Sequence, residues 1–301
     1  MTTRRALLVV APLVLAAALA GCGGGAPSGG RLQVVAAENF WGSIADQLAG
    51  SKATVTSIIV NPNTDPHSYD ASPSDARTFA GAKLAIVNGI GYDGWASKLV
   101  AASPLAGRIT LDAGNLLGLI AGDNPHQWYS PSSVTRVADA ITADLIHLDP
   151  RDRAYFRARA RDFRSRALAR YHRLIAQIRT RYHGVAVGYS ESIFAPLGEA
   201  LGLRLMTPYS FAKAIAEGTD VTAADTRTVD RQAQQRLIKV WVFNRQNVTP
   251  EVQRVNQLAR AAGIPIATVT ETLAPASDSF EQWQVAQLEE LERALSRGVG
   301  R

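Results

Sequence analysis

The chain has 301 residues, of which 47% are hydrophobic and 19% are charged. This length allows two domains, and the composition is too hydrophobic for a disordered protein. The single Cys excludes a disulfide framework and a Cys-rich zinc site. The formal net charge is +6, and eleven Arg residues lie between positions 151 and 183. Because no base-stacking aromatic residues alternate with these Arg residues on the same face, the pattern indicates a solvated helix face and no nucleic-acid partner.

The N-terminus has the pattern of a bacterial export signal. Arg4 and Arg5 precede an apolar run over residues 6–20, and small residues then lead to Cys22. The run is shorter than the roughly 20 residues that cross a bilayer, so we predict a cleaved signal over residues 1–21. The sequence Leu-Ala-Gly-Cys resembles a bacterial lipobox, which implies lipid attachment at Cys22. An ordinary secretory signal with a free Cys is the alternative.

An alternation of strands and helices follows a Gly-rich tether over residues 22–30. Short apolar runs predict buried strands at residues 32–37, 54–60, 83–87 and 109–111. Helical periodicity occurs at residues 40–48, 74–82, 92–102 and 131–148. Because this alternation is typical of a mainly parallel sheet, residues 31–148 are predicted to form an N-terminal α/β lobe.

Residues 149–183 predict one long helix. Pro150 suits a first helical turn, and no Gly interrupts the segment before Gly184. The residues of its apolar stripe are Phe156, Phe163, Ala167, Tyr171, Leu174 and Ile178. At 1.5 Å per residue such a helix spans roughly 50 Å, which is long enough to serve as a rigid spine along two lobes.

A second alternating series predicts a C-terminal α/β lobe over residues 184–301. Its predicted strands are residues 185–188, 203–206, 240–243 and 265–269. Its predicted helices are residues 192–201, 223–237, 250–262 and 279–295. The predicted fold class is therefore α/β, with two lobes of mainly parallel sheets joined by one long rigid helix. Since open α/β sheets bind ligands outside the carboxyl ends of their strands, we expect the site in the cleft between the lobes.

Two of the five His residues are candidate ligands. His67 and His126 each lie in a loop after a strand, directly follow a Pro and stand two residues before an aromatic residue. Since Pro restricts the backbone on both sides, stiff loops present both imidazoles. The other three, His147, His172 and His183, lie on or beside charged helices, where a surface position is expected.

Three segments resemble those of the cluster A-I solute-binding lipoproteins, the receptors of bacterial manganese and zinc ABC importers. They are DPHSY at residues 65–69, NGIGYDGW at residues 88–95 and NPHQW at residues 124–128. The likeness covers the chain from about residue 31 onward. It implies that His67 and His126 are metal ligands from the first lobe, and that the second lobe supplies two more.

The same resemblance implies which residues those are. The segment SESIF at residues 190–194 resembles the family's Ser-Glu-x-x-Phe segment, which implies Glu191 as the third ligand. Thr-Glu-Thr at residues 270–272 stands where relatives usually have Thr-Asp-Ser, which implies Glu271 as the fourth. Glu is one methylene longer than Asp and Asp278 lies nearby, so both remain candidates for this ligand. Glu is also favoured in first helical turns, which gives both glutamates an alternative role.

Two imidazoles and two carboxylates suit a divalent transition metal ion, whose charge the carboxylates neutralise. The lack of sulfur ligands disfavours Cu(I), and imidazole disfavours Mg²⁺ and Ca²⁺. Zn²⁺ prefers four ligands, whereas Mn²⁺ tolerates more, and the lack of a third loop His favours Mn²⁺ modestly. The resemblance implies a monomeric receptor, lipid-anchored at the extracytoplasmic face of the cell membrane, that passes Mn²⁺ or Zn²⁺ to the permease of an ABC importer.

The sequence gives less support to three other functions. A hydrolase is disfavoured because GYSES at residues 188–192 lacks the second Gly of a G-x-S-x-G elbow and no H-E-x-x-H motif occurs. A receptor for an organic solute would use Trp41, Trp95 and Trp128 to line its cleft. No feature of the sequence encodes an adhesin surface. We therefore expect a binding protein and not an enzyme.

Overall fold

The computed structural model describes most of the chain after the tether. The described residues are Thr2, 31–64, Pro66 and 69–300. The rest of the predicted signal, the tether, Cys22 and His67 lie outside the described residues, so the roles given to them remain predictions. Within the described part of the chain, no helix combines the length and the apolar character that crossing a membrane requires.

The first sheet consists of parallel strands. They are β1 (Leu32–Glu38), β2 (Ala53–Ile59), β3 (Leu84–Val87) and β4 (Ile109–Asp112). Their order across the sheet is β2-β1-β3-β4. Every residue of β3 is buried, as expected for a parallel strand with helices on both faces of its sheet. The predicted strands agree with these bounds to within one residue at each end.

Helices connect these strands and cover the sheet. They are α1 (Asn39–Ala49), α2 (Pro73–Ala80), α3 (Gly94–Ala102), α4 (Ala113–Leu117) and α5 (Pro131–Leu148). Capping residues fix two helix starts, since Ser72 forms a capping box with Asp75 and Ser130 accepts a hydrogen bond from the backbone of Ser133. The sequence did not predict α4, because its five residues are too few for a periodic signal. We call this sheet and its helices the first lobe.

The linking segment is helical but is not one uninterrupted α-helix. A 3₁₀ turn at residues 150–152 leads into α6 (Arg153–Asp162), and α7 (Ala169–Tyr182) follows a π-helical turn over residues 163–167. The turn is closed by a hydrogen bond of 2.9 Å from the Leu168 amide to the Phe163 carbonyl. The extra residue changes the phase of the helix so that both of these side chains are buried. Leu168 therefore takes the core position that the predicted stripe gave to Ala167, which is half-buried.

The second sheet repeats the arrangement of the first. Its parallel strands are β5 (Ala186–Tyr189), β6 (Arg204–Leu205), β7 (Val240–Asn244) and β8 (Ile266–Val269), in the order β6-β5-β7-β8. Its helices are α8 (Ala195–Ala200), α9 (Tyr209–Ala216), α10 (Ala223–Gln234), α11 (Pro250–Ala261) and α12 (Phe280–Gly298). The sequence did not predict α9. We call this sheet and its helices the second lobe, and the predicted α/β class with two lobes of parallel strands is confirmed.

Direct contacts join the two lobes, and the chain from Arg31 onward forms one compact unit. The core cluster that contains Val34 of the first sheet also contains Val187 of the second. On the linking segment, Arg170 forms an ion pair with Glu289 of α12. Core packing thus connects the lobes, and the ion pair attaches the linking segment to the second lobe.

Candidate metal centre

The structure brings together three of the predicted ligands. One ligand atom each of His126, Glu191 and Glu271 lies within 4.8 Å of the other two. Nε2 of His126 is 3.8 Å from Oε1 of Glu191 and 3.5 Å from Oε2 of Glu271. The three residues are at most 3% exposed. His67, the predicted fourth member, lies outside the described residues and remains a prediction.

Strand ends position the two carboxylates. Glu191 stands two residues after the end of β5, and Glu271 stands two residues after the end of β8. Both positions are at the carboxyl edge of the second sheet, where parallel α/β sheets bind their ligands. Glu191 precedes a 3₁₀ turn, but its side chain makes no capping hydrogen bond there. The alternative role of Glu191 in helix-start electrostatics therefore has no capping contact to support it.

Asn124 orients the imidazole of His126. Its Oδ1 lies 2.8 Å from Nδ1 of His126 and accepts a hydrogen bond of 3.1 Å from the His126 amide, while its Nδ2 donates to the Ser192 carbonyl at 2.7 Å. Because an amide oxygen only accepts, Nδ1 of the ring carries the hydrogen and Nε2 presents its lone pair to the carboxylates. Nδ2 of Asn88 also donates to the Pro125 carbonyl at 3.0 Å, which ties this loop to the end of β3.

Burial keeps this imidazole neutral. It lowers the pKa of His126 to about 4, although the nearby carboxylate of Glu191 acts in the opposite direction. Aromatic rings form the apolar surroundings, since the ring centroids of Tyr92 and Trp128 lie 6.0 Å and 5.2 Å from that of the imidazole. A neutral imidazole is the form that binds a metal ion, so His126 is ready for coordination at neutral pH.

Hydrogen bonds from two neutral side chains hold the carboxylates. Nδ2 of Asn244 donates to Oε2 of Glu191 and to Oε1 of Glu271, both at 2.8 Å. The hydroxyl of Tyr92 donates to Oε2 of Glu271 at 3.0 Å. Oε1 of Glu191 is buried and accepts no hydrogen bond from any described residue. The oxygen of Glu191 that faces His126 thus remains available for another partner.

The carboxylate of Glu191 is costly to ionise in this place without a cation. Burial raises the pKa of Glu191 well above its usual value, and the neighbouring Glu271 raises it further. A divalent cation between the carboxylates would offset both effects, because it pairs with the charges that burial penalises. Imidazole nitrogen together with carboxylate oxygen is a donor set that suits divalent transition metals.

The turn after β3 carries Tyr92 to the site. Gly89, Ile90 and Gly91 all have positive φ angles, of 72°, 60° and 84°. A Cβ atom at Gly89 would lie 2.3 Å from Oδ1 of Asp112, so only Gly fits at this position. The turn uses a conformation that is unfavourable for Ile90, and it places a phenol next to a carboxylate of the other lobe.

Pro62, which lies five residues before His67 in the sequence, is tied to the second lobe near Glu271. Nε2 of Gln246 donates to the Pro62 carbonyl and, at 3.0 Å, to Oγ1 of Thr272. Asp278, the alternative fourth ligand, is half-buried and is not a member of the group of converging donors. Among the described residues the geometry therefore favours Glu271 over Asp278.

The remaining candidates of the sequence lie away from this centre. His147, His172 and His183 are exposed on or beside helices. Trp41 and Trp128 are fully buried, so they do not line an open cleft as a receptor for an organic solute would require. Trp95, the third candidate for such a cleft, packs against Tyr69 and Phe79.

The sequence interpretation did not identify Asn244 or Glu38 as residues of interest. Asn244 is the last residue of β7, and its position directly after a predicted strand was the available signal. Glu38 ends β1 and is completely buried, and burial raises its pKa well above the usual value. A Glu that ends an apolar strand is unusual, so this position also carried a signal.

Comparison with known proteins finds a matching family model and several similar proteins. A family model described as ZnuA, zinc-uptake complex component A, periplasmic, matches residues 34–294. Manganese-binding lipoprotein MntA of Halalkalibacterium halodurans is 29% identical over 151 residues, which are 46% of this chain and 48% of that protein. Manganese ABC transporter substrate-binding lipoprotein PsaA of Streptococcus anginosus is 30% identical over 165 residues, which are 48% and 52% of the two chains. The chain thus spans about half the length of the curated relatives it matches.

A solved structure shares the fold. The Mn-bound periplasmic metal binding protein from Candidatus Liberibacter asiaticus superimposes with a TM-score of 0.74 over 88% of this chain and 100% of that one. The sequence identity is 19%, so this likeness concerns the arrangement of strands and helices. It agrees with the two-lobe α/β fold described above.

Proposed function

We propose that this chain, which belongs to the family of ZnuA, zinc-uptake complex component A, periplasmic, is an extracytoplasmic receptor for a divalent transition metal ion. It captures Mn²⁺ or Zn²⁺ and delivers the ion to the permease of an ABC importer. The ion is cargo, and the chain acts by binding and release without catalysing a reaction. The sequence contains no phosphate-binding loop motif, so ATP hydrolysis is assigned to a separate subunit.

The observation that carries this proposal is the convergence of one imidazole and two carboxylates in a buried space. His126 comes from the first lobe, whereas Glu191 and Glu271 come from the second. With His67 as a further ligand from the first lobe, the set has two neutral and two anionic donors. Its formal charge of −2 matches a divalent ion, and bound metal would join the two lobes.

The donor set allows either metal. Two relatives are named for manganese, whereas the family is named for zinc uptake. A site of nitrogen and oxygen donors binds Zn²⁺ more tightly than Mn²⁺ by the Irving–Williams order, so the cargo in the cell depends on which metal is available. Affinity measured with purified protein does not by itself identify the physiological ion.

The N-terminal segment supplies the location in this proposal. A signal over residues 1–21 exports the chain, lipid at Cys22 anchors it at the outer face of the cell membrane, and residues 22–30 form the tether. Both relatives are named lipoproteins, which supports this part of the proposal. The receptor is proposed to act as a monomer.

Metal analysis of the protein purified from native membranes tests the proposal. We expect about one equivalent of Mn²⁺ or Zn²⁺ in the natural protein and loss of that metal in His126→Ala. The control is His147→Ala, which removes an exposed imidazole and should retain the metal. A natural protein that binds neither metal would refute the proposal, and equal loss in both variants would refute the choice of ligand.

A cellular experiment tests delivery. Cells that lack this chain should accumulate less radioactive manganese or zinc, and the natural chain should restore uptake. Glu191→Ala should be exported to the same level but should not restore uptake. Full restoration by this variant would show that delivery does not depend on the proposed site.

A further inference from the structure

We propose that Asn244 is a positioning residue that turns one oxygen of each carboxylate away from the metal ion and thereby favours four-coordinate binding. The inference rests on the proposed function, since it concerns the same site. It assigns to a neutral side chain, which is not a ligand, part of the selectivity between Zn²⁺ and Mn²⁺.

The order of the second sheet places Asn244 between the two glutamates. β7 pairs with β5 on one side and with β8 on the other, and Asn244 is its last residue. Glu191 and Glu271 follow the ends of those two flanking strands. A side chain at the end of the central strand is therefore in reach of both carboxylates, and Asn244 is completely buried there.

The amide of Asn244 is held in one orientation. Its Oδ1 accepts a hydrogen bond of 3.0 Å from the backbone amide of Gln246, so Nδ2 faces the carboxylates. The backbone N–H of Asn244 donates to Oγ of Ser190 at 3.1 Å, which fixes the main chain at this position. If Oδ1 and Nδ2 were exchanged, the carbonyl oxygen would face the two carboxylates and the NH₂ group would face the N–H of Gln246. Both contacts would then be repulsive. Both hydrogens of Nδ2 are thus available to the two glutamates.

These bonds divide the four carboxylate oxygens into two kinds. Oε2 of Glu191 and Oε1 of Glu271 accept from Asn244. The other two oxygens, Oε1 of Glu191 and Oε2 of Glu271, are those that lie nearest Nε2 of His126. A carboxylate that binds the ion through both oxygens would have to use the oxygen that Asn244 holds, and turning that oxygen towards the ion strains a charge-assisted hydrogen bond.

The number of oxygens that face the ion affects the choice of metal. With one oxygen from each glutamate and two imidazoles, the protein offers four donors, which suits tetrahedral Zn²⁺. Mn²⁺ favours about six donors, which these residues approach only if the carboxylates bind through both oxygens or if water enters. Without Asn244 the carboxylate of Glu191 loses its hydrogen bond from this side chain and that of Glu271 keeps the bond from Tyr92, so both are less restrained and we expect the relative preference for Zn²⁺ to fall.

Asn244→Ala and Asn244→Leu test this inference in the full chain. Ala removes both donors and leaves space, whereas Leu removes them and keeps most of the volume. Co²⁺ serves as a spectroscopic probe, because its visible absorption is strong in tetrahedral sites and weak in sites with five or six donors. We expect strong absorption in the natural protein and weak absorption in both variants. The dissociation constant for Mn²⁺ divided by that for Zn²⁺ should fall by about tenfold or more in the variants.

Asn256→Ala is the matched control. Asn256 is also a buried Asn, and its Oδ1 accepts a hydrogen bond of 2.7 Å from Nε1 of Trp241 in the same strand, β7. Its removal should leave the cobalt spectrum and the ratio of dissociation constants unchanged. A change equal to that of the Asn244 variants would show a general effect of loosening β7 and would overturn the inference.

Two further outcomes would overturn it. One is a Co²⁺ spectrum of the natural protein that already shows five or six donors. This test needs only the natural protein, so it does not depend on whether the variants fold. The other is a pair of folded Asn244 variants that lose affinity equally for both metals and keep the natural cobalt spectrum. Failure of the natural protein to bind any metal would instead refute the proposed function, so the two failures are distinguishable.

Discussion

The hydroxyl of Tyr92 donates a hydrogen bond of 3.0 Å to Oε2 of Glu271, which is the carboxylate oxygen nearest Nε2 of His126. Tyr92 belongs to the first lobe and Glu271 to the second, so the bond crosses the boundary at which the proposed ligands meet. A phenol that donates to a carboxylate stabilises its charged form and restricts its rotation. Tyr92 therefore prepares a ligand of the other lobe for the ion.

Tyr92→Phe should weaken metal binding without abolishing it. The ring keeps its contacts with Trp128, and only the hydroxyl is lost. A net loss of about 1 kcal/mol for one hydrogen bond corresponds to a dissociation constant raised by about fivefold. Competition titration with a chelator measures this change. Tyr155→Phe is the control, because its hydroxyl bonds to Ser51 at the surface; an equal effect in both variants would contradict the prediction.

Strands and long helices were predictable from the sequence because they bury apolar residues in regular patterns. The predicted strands agree with β1 to β8 to within one residue. The short helices α4 and α9 and the π-helical turn after α6 were not predicted. The hydrogen bond from Leu168 to Phe163 shows why, since one extra residue changes which of two apolar neighbours faces the core, and periodicity alone does not reveal where it is inserted.

The candidate site was predictable only in part. The loop around His126 and the family resemblance both indicated this residue. Only the resemblance indicated the two glutamates, because a single Glu is also common at the start of a helix. Asn244 could not be assigned from the sequence, because its role depends on the pairing of β7 with both flanking strands. A neutral amide becomes informative only when the two carboxylates on either side of it are known.

Metal affinity should rise with pH more steeply than one imidazole explains. The pKa of His126 is lowered to about 4, so this residue is already neutral above pH 5. Burial raises the pKa of Glu191, so the metal-free site holds a proton on this carboxyl until the pH exceeds that raised value. Binding needs the carboxylate and therefore displaces this proton.

The logarithm of the association constant should therefore increase with a slope greater than one between about pH 5 and pH 6. In this range the metal displaces the proton of Glu191, and the proposed ligand His67 would release a second proton. Isothermal titration in buffers of different ionisation enthalpy counts the displaced protons. A slope of one or less in this range would contradict the contribution of Glu191.

Glu38→Gln should stabilise the metal-free protein at high pH. Burial raises the pKa of Glu38, and the neighbouring carboxylates of Asp93 and Glu271 add to the shift. Because the folded state holds a proton that the unfolded state releases above about pH 4.5, this group lowers the stability progressively as the pH rises to the folded pKa.

Urea unfolding in the presence of a chelator measures this effect. The difference between Glu38→Gln and the natural protein should be small near pH 4.5 and should grow as the pH is raised above this value. Glu199→Gln, which changes an exposed residue of α8, is the control and should show no such growth. A difference that is constant over this range would mean that the charge of Glu38 is not the cause.

Metal binding should produce little change in overall dimensions, because contacts of α1 already join the lobes. Oδ1 of Asn39 accepts from the Leu273 amide at 3.2 Å, Oγ of Ser43 accepts from the Phe280 amide at 2.9 Å, and Gln47 donates to Glu281 at 2.8 Å. The three residues of α1 are four positions apart, so they share one face of the helix.

Small-angle scattering should therefore give a radius of gyration of about 19 Å, as expected for a compact chain of this size, both with chelator and with saturating Mn²⁺ or Zn²⁺. Glu191→Gln, with the same additions, controls for effects of the metal outside the site. Clear compaction of the natural protein on metal addition would show that the contacts of α1 open in the metal-free state. Smaller rearrangements of the loops that carry the ligands would leave the radius unchanged, and hydrogen exchange at the backbone amides around His126 and Glu271 should detect them as slower exchange in the metal-bound form.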